Sequence, residues 1–261
     1  MLEQSEPLYN ILNYRNIKFS KISQSFKFPN YFKFMKIALL GGTGDLGTGL
    51  AIRWGRYHEV IVGSRFEEKA KADAQEYALK AASSYLEEVK GKIIGMKNED
   101  AVKYADVIVI CIPAIYINDT LNSIKNNFDP NKLVISPVVP LRKANRHFVY
   151  DPSIVTKNAK SAAEAIANIL KAENIVSALH TIPANKLADP YSRLNYDVPF
   201  CASNENSKNL FVQLAKDLSP HLNCLHVGGI ELSSLIESIT VTIINISINT
   251  RKWNLAIKFV E

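Results

Sequence analysis

Cysteine is scarce in this chain: Cys111, Cys201 and Cys224 are the only ones among 261 residues. They have neither disulfide density nor the spacing of paired metal ligands. That excludes a disulfide-stapled secreted scaffold and suits buried thiols in a reducing cytoplasm. Long apolar runs are also missing. The nearest approach, Leu232 to Ile248, is interrupted by Ser, Thr, Glu237 and Asn245, so a buried or interfacial helix is expected there and no membrane span. His58, His147, His221 and His226 are scattered without ligand spacing, and no metal is expected. Glycine is absent from the first 34 residues, which are rich in Asn, Lys, Ser, Phe and Tyr and show neither periodicity nor a secretory core. Met35 stands directly before the first apolar strand. Residues 1–34 therefore read as an appended or mis-assigned leader, disordered, with Met35 as the natural start; the alternative is a genuine arm that docks on a partner.

Net charge says less than it first suggests. Five cations and two glutamates give the leader +3, which leaves +3 of the total +6 for the remainder. No basic stripe or aromatic-basic interleaving follows, so nucleic-acid binding is not expected. A hydrophobic content of 47% is enough for a sizeable core.

What is present is a dinucleotide signature. Lys36 to Leu40 is a short apolar strand, and Gly42, Gly44 and Gly47 after it have the G-x-G-x-x-G spacing. Such glycines permit a tight turn, a close approach of backbone to pyrophosphate, and close helix-strand packing. The helix that follows (Leu46, Leu50, Ile52, Trp54) aims free N–H groups at the phosphates. The second strand, Val60-Ile61-Val62, ends in Gly63-Ser64-Arg65, with Lys69 one turn later. An NAD site carries a carboxylate at that point. A hydroxyl and two cations instead accept a 2′-phosphate, which selects NADP(H) over NAD(H).

Strands and helices then alternate. A helix is expected over 67–89, a strand over 93–96, a small acidic helix over 98–104, and a doubly covered strand over 106–113 that Pro113 stops at the cofactor edge. A helix over 117–126, a strand over 132–136, a loop and a helix over 161–171 come next. From 175 to 184 a strand opens into a loop that carries His180 and Pro183. Strand 198–201, helix 205–218, strand 223–227 and a long final helix complete the chain. The fold class is α/β: a Rossmann-type doubly wound parallel sheet with a small C-terminal helical extension. Residues 35–180 form the expected dinucleotide-binding domain and 181–261 a small C-terminal domain.

From Met35 onward the chain resembles the archaeal coenzyme F420-dependent NADP oxidoreductases. The resemblance rests on KIALLGGTGDLGTGLA from Lys36, HEVIVGSR from His58, GMKNEDA from Gly95, VSALHTIPA from Val176, DVPFC from Asp197 and AIKF from Ala256. It implies reversible hydride transfer between NADP(H) and the 5-deazaflavin F420, in a homodimer. It places Gly42, Thr43, Gly44, Asp45 and Leu46 at the pyrophosphate, and Ser64, Arg65 and Lys69 at the 2′-phosphate. Ile112, Pro113 and Val139 would flank the nicotinamide, with Ala184 beside both rings. His180, Pro183 and Leu255 would touch the deazaflavin, and the C-terminal domain would complete its site. Asp45 stands where the family often has Asn.

Hydride transfer between two ring carriers needs alignment and no protein nucleophile. His180 is the one candidate acid; its alternative is a structural histidine or a deazaflavin contact. The acidic tail of F420 would be steered by Arg142, Lys143, Arg146 and His147, or by Arg251-Lys252. Two other readings stay open. One is an NADPH reductase of another acceptor, a ferric ion with flavin or a cyclic imine. The other is a catalytically silent NADP sensor.

Overall fold

The alternation within strand β1 (Lys36–Leu40) sets the architecture. Ile37 and Leu39 face one way, Ala38 and Leu40 the other, and all four are fully buried. The second strand, β2 (Glu59–Ser64), and the fourth, β4 (Val107–Ile110), are likewise covered on both faces. Strands apolar on both sides need helices on both sides. In this computed structural model, which describes residues 34–86 and 89–260, that is the arrangement. One face is packed by α1 (Asp45–Trp54), α2 (Glu67–Tyr85) and α7 (Glu205–Leu218). The other is packed by α3 (Asn98–Tyr104), α4 (Ile117–Ile124) and α5 (Ala162–Leu170). Except for residue 34, the expected leader lies outside the described residues.

The remaining strands of the sheet are β3 (Lys92–Lys97), β5 (Leu133–Ser136), β8 (Asn174–Ser177), β9 (Asp197–Ala202) and β10 (Asn223–Gly228). Their order is β10-β9-β8-β5-β4-β1-β2-β3. From β3 to β8 every neighbouring pair is parallel, as expected for a doubly wound sheet. The β8–β9 pair is antiparallel, so β9 and β10 run against the rest. These two strands lie beyond residue 180, yet they extend the same sheet, and residues from 34 onward make one compact unit. The chain reverses its winding direction between β1 and β4. A crevice opens outside the carboxyl ends of these strands, the usual ligand position in such sheets.

Two segments differ from expectation. The stretch after β5, expected as a loop, is an antiparallel hairpin of β6 (Leu141–Ala144) and β7 (His147–Tyr150). Four-residue strands carrying several cations give little periodic signal. The hairpin turns at Asn145, whose φ of 56° suits an asparagine. The loop expected at the end of the strand from residue 175 begins after Ser177, where Leu179 takes a φ of 69° and turns the chain away from the sheet, but it does not stay a loop. Pro183 then starts the short helix α6 (Ala184–Ala188).

Arg53 fastens this region to α1. It is buried, and its guanidinium donates to the carbonyls of Leu187 (2.7 Å), Asp189 (2.6 Å), Ser192 (2.9 Å) and Leu218 (3.3 Å). The last helix, α8 (Ser233–Thr250), lies against the hairpin and α5. By length and composition the segment Ile230–Thr250 could span a bilayer, with a mean hydropathy of 1.3, although no uninterrupted apolar run occurs there. Three of its polar residues are engaged inward: Glu237 with α5, Thr240 with His180, and Asn245 with β7.

Candidate active site

The turn after β1 is built by glycines with separate tasks. Gly41 has a φ of 70°, so the left-handed conformation falls one residue before the position that the motif suggests. Gly42 is buried. Its N–H donates to the carbonyls of Leu39 (2.9 Å) and Gly63 (3.0 Å), and a Cβ there would sit 2.8 Å from Leu39. It shapes the turn from behind and does not line the cleft. A Cβ on Gly47 would come within 2.2 Å of the Gly42 carbonyl oxygen, so only glycine lets α1 approach so closely. Gly44 is different: a Cβ there would meet nothing within 4 Å. The protein itself gives no packing reason for that glycine. Gly44 is also the N-cap of α1 and brings no capping side chain, so the first N–H groups of the helix, whose residues line the cleft, have no side-chain cap among the described residues. Asp45 does not cap them.

The cleft in front of this turn has a volume of about 930 Å³. It brings together twelve of the residues singled out in the sequence: Thr43, Gly44, Asp45, Leu46, Ser64, Arg65, Lys69, Ile112, Pro113, Val139, His180 and Ala184. Pro183 is absent from the lining, but it precedes Ala184 directly. Leu255 is also absent. It sits in the terminal tail, where Asp197 accepts from Lys258 Nζ (3.0 Å) and the Phe259 N–H (2.6 Å).

The chemistry of the lining changes along its length. At one end are Ser64, Arg65 and Lys69. Lys69 shares its charge with Asp73 at 2.9 Å, while Arg65 makes no ion pair among the described residues. The glycine turn occupies the middle. The far end is apolar, with Ile112, Pro113, Ala114, Val138, Val139, Leu141, Ile182 and Ala184. Cys111 lies in this wall with its thiol pushed up to about 12 by burial, so it is not a thiolate nucleophile at neutral pH.

His180 is presented by the strained backbone of Leu179, and Thr240 Oγ1 donates to its carbonyl at 3.0 Å. Burial drives the imidazole down to about 3, opposed only by a hydrogen bond to the Ser136 main chain. A carbonyl can only accept, so the nitrogen bonded to it carries the proton. The other nitrogen, Nε2, is buried without a hydrogen-bond partner among the described residues. Such a neutral imidazole accepts a hydrogen bond and does not deliver a proton near neutrality.

Sequence reasoning missed Asn98 and Thr240, both in the lining. Asn98 Oδ1 accepts from the Gly41 N–H at 3.4 Å and ties the turn to α3. Its signal was the GMKNEDA motif, which marks α3 without saying what Asn98 does.

Behind the apolar end lies a buried carboxyl. Glu237 accepts from the N–H groups of Ala162 (3.0 Å) and Ala163 (3.1 Å) at the start of α5. Tyr150 Oη stands 2.8 Å from Glu237 and 3.0 Å from the Lys160 carbonyl. A single hydroxyl proton cannot serve both acceptors. A protonated Glu237 donating to Tyr150 satisfies the whole cluster. Burial outweighs the N–H groups and raises Glu237 to about 7. A raised folded value means that the native state holds this proton more tightly than the unfolded chain. The stabilisation is complete below the ordinary carboxyl range and is lost as pH rises towards 7. Relative to Glu237→Gln, the native chain should lose about 2–3 kcal/mol of unfolding free energy between about pH 4.5 and 7. Parallel denaturation profiles of the two proteins over that range would refute this.

Residues 36–140 match the family described as NADP oxidoreductase, coenzyme F420-dependent. The chain is 33% identical over 230 residues to the F420-dependent NADP reductase of Methanocaldococcus jannaschii, covering 86% of this chain and 97% of that protein. It is 32% identical to the F420-dependent NADP reductase of Methanothermobacter thermautotrophicus, over 86% of this chain and 94% of that one. A solved structure from Arthrobacter sp. FB24, provisionally described as an F420-dependent NADP reductase, superposes with a TM-score of 0.69 at 22% identity. It covers 87% of this chain and all of its own.

Proposed function

The chain belongs to the coenzyme F420-dependent NADP oxidoreductase family, and we propose that its cleft aligns NADP(H) with the 5-deazaflavin F420 for reversible hydride transfer. The protein is an NADP-dependent oxidoreductase. The observation that carries the reading is the gradient along the cleft: unpaired cation, bare main-chain turn, apolar pocket. NADP(H) has the same order of parts, from the 2′-phosphate through the pyrophosphate to the nicotinamide.

Ser64 and Arg65 grip the 2′-phosphate, with Lys69 adding charge. Thr43, Gly44 and Leu46, with the free N–H groups of α1, hold the pyrophosphate. Gly44 leaves room for it, and Asp45 turns to solvent beside it. Ile112, Pro113 and Val139 wall the nicotinamide, and Ala184 admits a second flat ring against it. The two rings supply the reacting carbons themselves. The chain's part is to stack them at about 3–3.5 Å and to exclude water. His180 Nε2 accepts from an N–H of the bound rings. Residues beyond 180, among them Ile182, Ala184 and Thr240, complete the acceptor half of the site. No observation favours a ferric, imine or purely sensing role.

The experiment is direct. Purified protein given NADPH and oxidised F420 should bleach the nicotinamide band and the deazaflavin's visible band together. NADPH binding without any turnover would overturn the reading.

The working form is a cytoplasmic homodimer without a membrane or nucleic-acid partner. Free Cys111, Cys201 and Cys224 support the compartment. The outward side of α8 supports the dimer, since Leu235 and Ile246 are 58% and 44% exposed on a helix whose other side is packed. Sedimentation equilibrium should give the mass of two chains, and Leu235→Glu with Ile246→Glu should shift it towards one.

A further inference from the structure

We infer that the β6–β7 hairpin and the end of α8 form one binding subsite for the anionic tail of the deazaflavin substrate, its phosphate and glutamyl carboxylates. The inference rests on the hydride-transfer reading above. The two basic clusters, far apart in the sequence, are brought together by the fold. His147 Nε2 lies 2.9 Å from Asn249 Oδ1, and the Asn245 carboxamide bonds both main-chain groups of Phe148, at 2.9 Å and 2.8 Å. The tip of the hairpin, with Lys143 and Arg146, therefore lies beside the C-cap of α8, with Arg251 and Lys252.

The pleat decides which cations face the substrate. Leu141 lines the apolar end of the cleft. Lys143 is two residues on, so it lies on the same face of β6, about 7 Å further along the strand. Arg142 lies on the opposite face, where Asp151 takes up its charge at 2.7 Å. Lys143, Arg146, Arg251 and Lys252 are exposed, and none of them makes an ion pair among the described residues. On the other side, Thr240 lines the cleft, and Arg251 follows on the same helix about 16 Å away. A ring seated between Leu141 and Thr240 would thus send its ribityl chain out between two elements that carry unpaired cations at increasing distance. The nearer cation suits the phosphate and the farther pair the terminal carboxylates. The two segments themselves bring no opposing charge: no Asp or Glu occurs from Pro130 to Tyr150 or from Ser238 to Val260.

The test compares F420 with its tail-free analogue, 8-hydroxy-5-deazariboflavin, which keeps the ring and ribityl chain but lacks the phosphate and glutamates. In the native enzyme the ratio of kcat/KM for F420 to that for the analogue should fall as salt is raised. Lys143→Glu with Arg146→Glu should lower that ratio about tenfold at low salt, through KM for F420. Arg251→Glu with Lys252→Glu should lower it further for F420 with longer glutamyl tails. Turnover of the analogue shows that each variant is folded. An unchanged ratio in both double variants would overturn the subsite while leaving hydride transfer standing. Failure of the native enzyme to reduce either compound would overturn both.

Discussion

Arg65→Ala should lower kcat/KM for NADPH by about 10- to 100-fold and leave NADH almost unchanged. A charge-assisted hydrogen bond to phosphate contributes about 1.5–3 kcal/mol, and each 1.4 kcal/mol is a factor of ten. Arg65 lines the cleft and makes no ion pair among the described residues, so its charge is available to the ligand. Ser64→Asp should have the larger effect. Ser64 is buried at the end of β2, and its hydroxyl accepts from the Phe66 N–H at 3.2 Å. A carboxylate there would repel the 2′-phosphate and instead meet the ribose hydroxyls of NADH. The ratio of kcat/KM for NADPH to that for NADH should fall about a thousandfold, the NADPH loss and the NADH gain both contributing. Steady-state kinetics with both cofactors measure this directly. An equal loss for the two would mean that the cationic end of the cleft does not contact the 2′-phosphate.

Gly44→Ala and Gly47→Ala should fail in different ways. At Gly44 the added methyl meets open space and φ is an ordinary −102°. The folded protein should keep its thermal midpoint within a few degrees, since alanine in place of glycine at an N-cap costs about 1 kcal/mol at most. The methyl should instead occupy the approach of the pyrophosphate and raise the Kd for NADPH about a hundredfold. At Gly47 the methyl meets the backbone of Gly42, which cannot swing aside. That variant should lose several kcal/mol and fail to accumulate as folded protein. Calorimetry of both variants beside NADPH titration of Gly44→Ala would decide. Retained affinity in Gly44→Ala would remove the pyrophosphate from this turn.

The sequence was most legible where one physical demand acts alone. The strand of Lys36 to Leu40 is apolar on both faces, the glycine spacing follows from a tight turn, and Ser64-Arg65 closes a strand that its own periodicity defines. All three lie where they were expected. The motif nonetheless misplaced the left-handed residue, because spacing does not distinguish Gly41 from Gly42. The hairpin was hidden for another reason. Its strands are held by an antiparallel partner four residues long and by the side chain of Asn245, nearly a hundred residues away, and no local pattern encodes that. His180 could be picked out, but its neutral state depends on burial and on the Ser136 main chain, which only the fold supplies. Glu237 was visible only as an interruption in an apolar helix. Its purpose lies in the start of α5 and in Tyr150.

The Arg53 clamp has a consequence for how the two coenzymes are spaced. One helix bears the anion-facing turn at its start and, a few residues later, a guanidinium that holds the segment bearing Ala184. Both ends of this wall thus belong to a single rigid strut. The separation of two stacked rings is therefore gauged against main chain that one guanidinium braces.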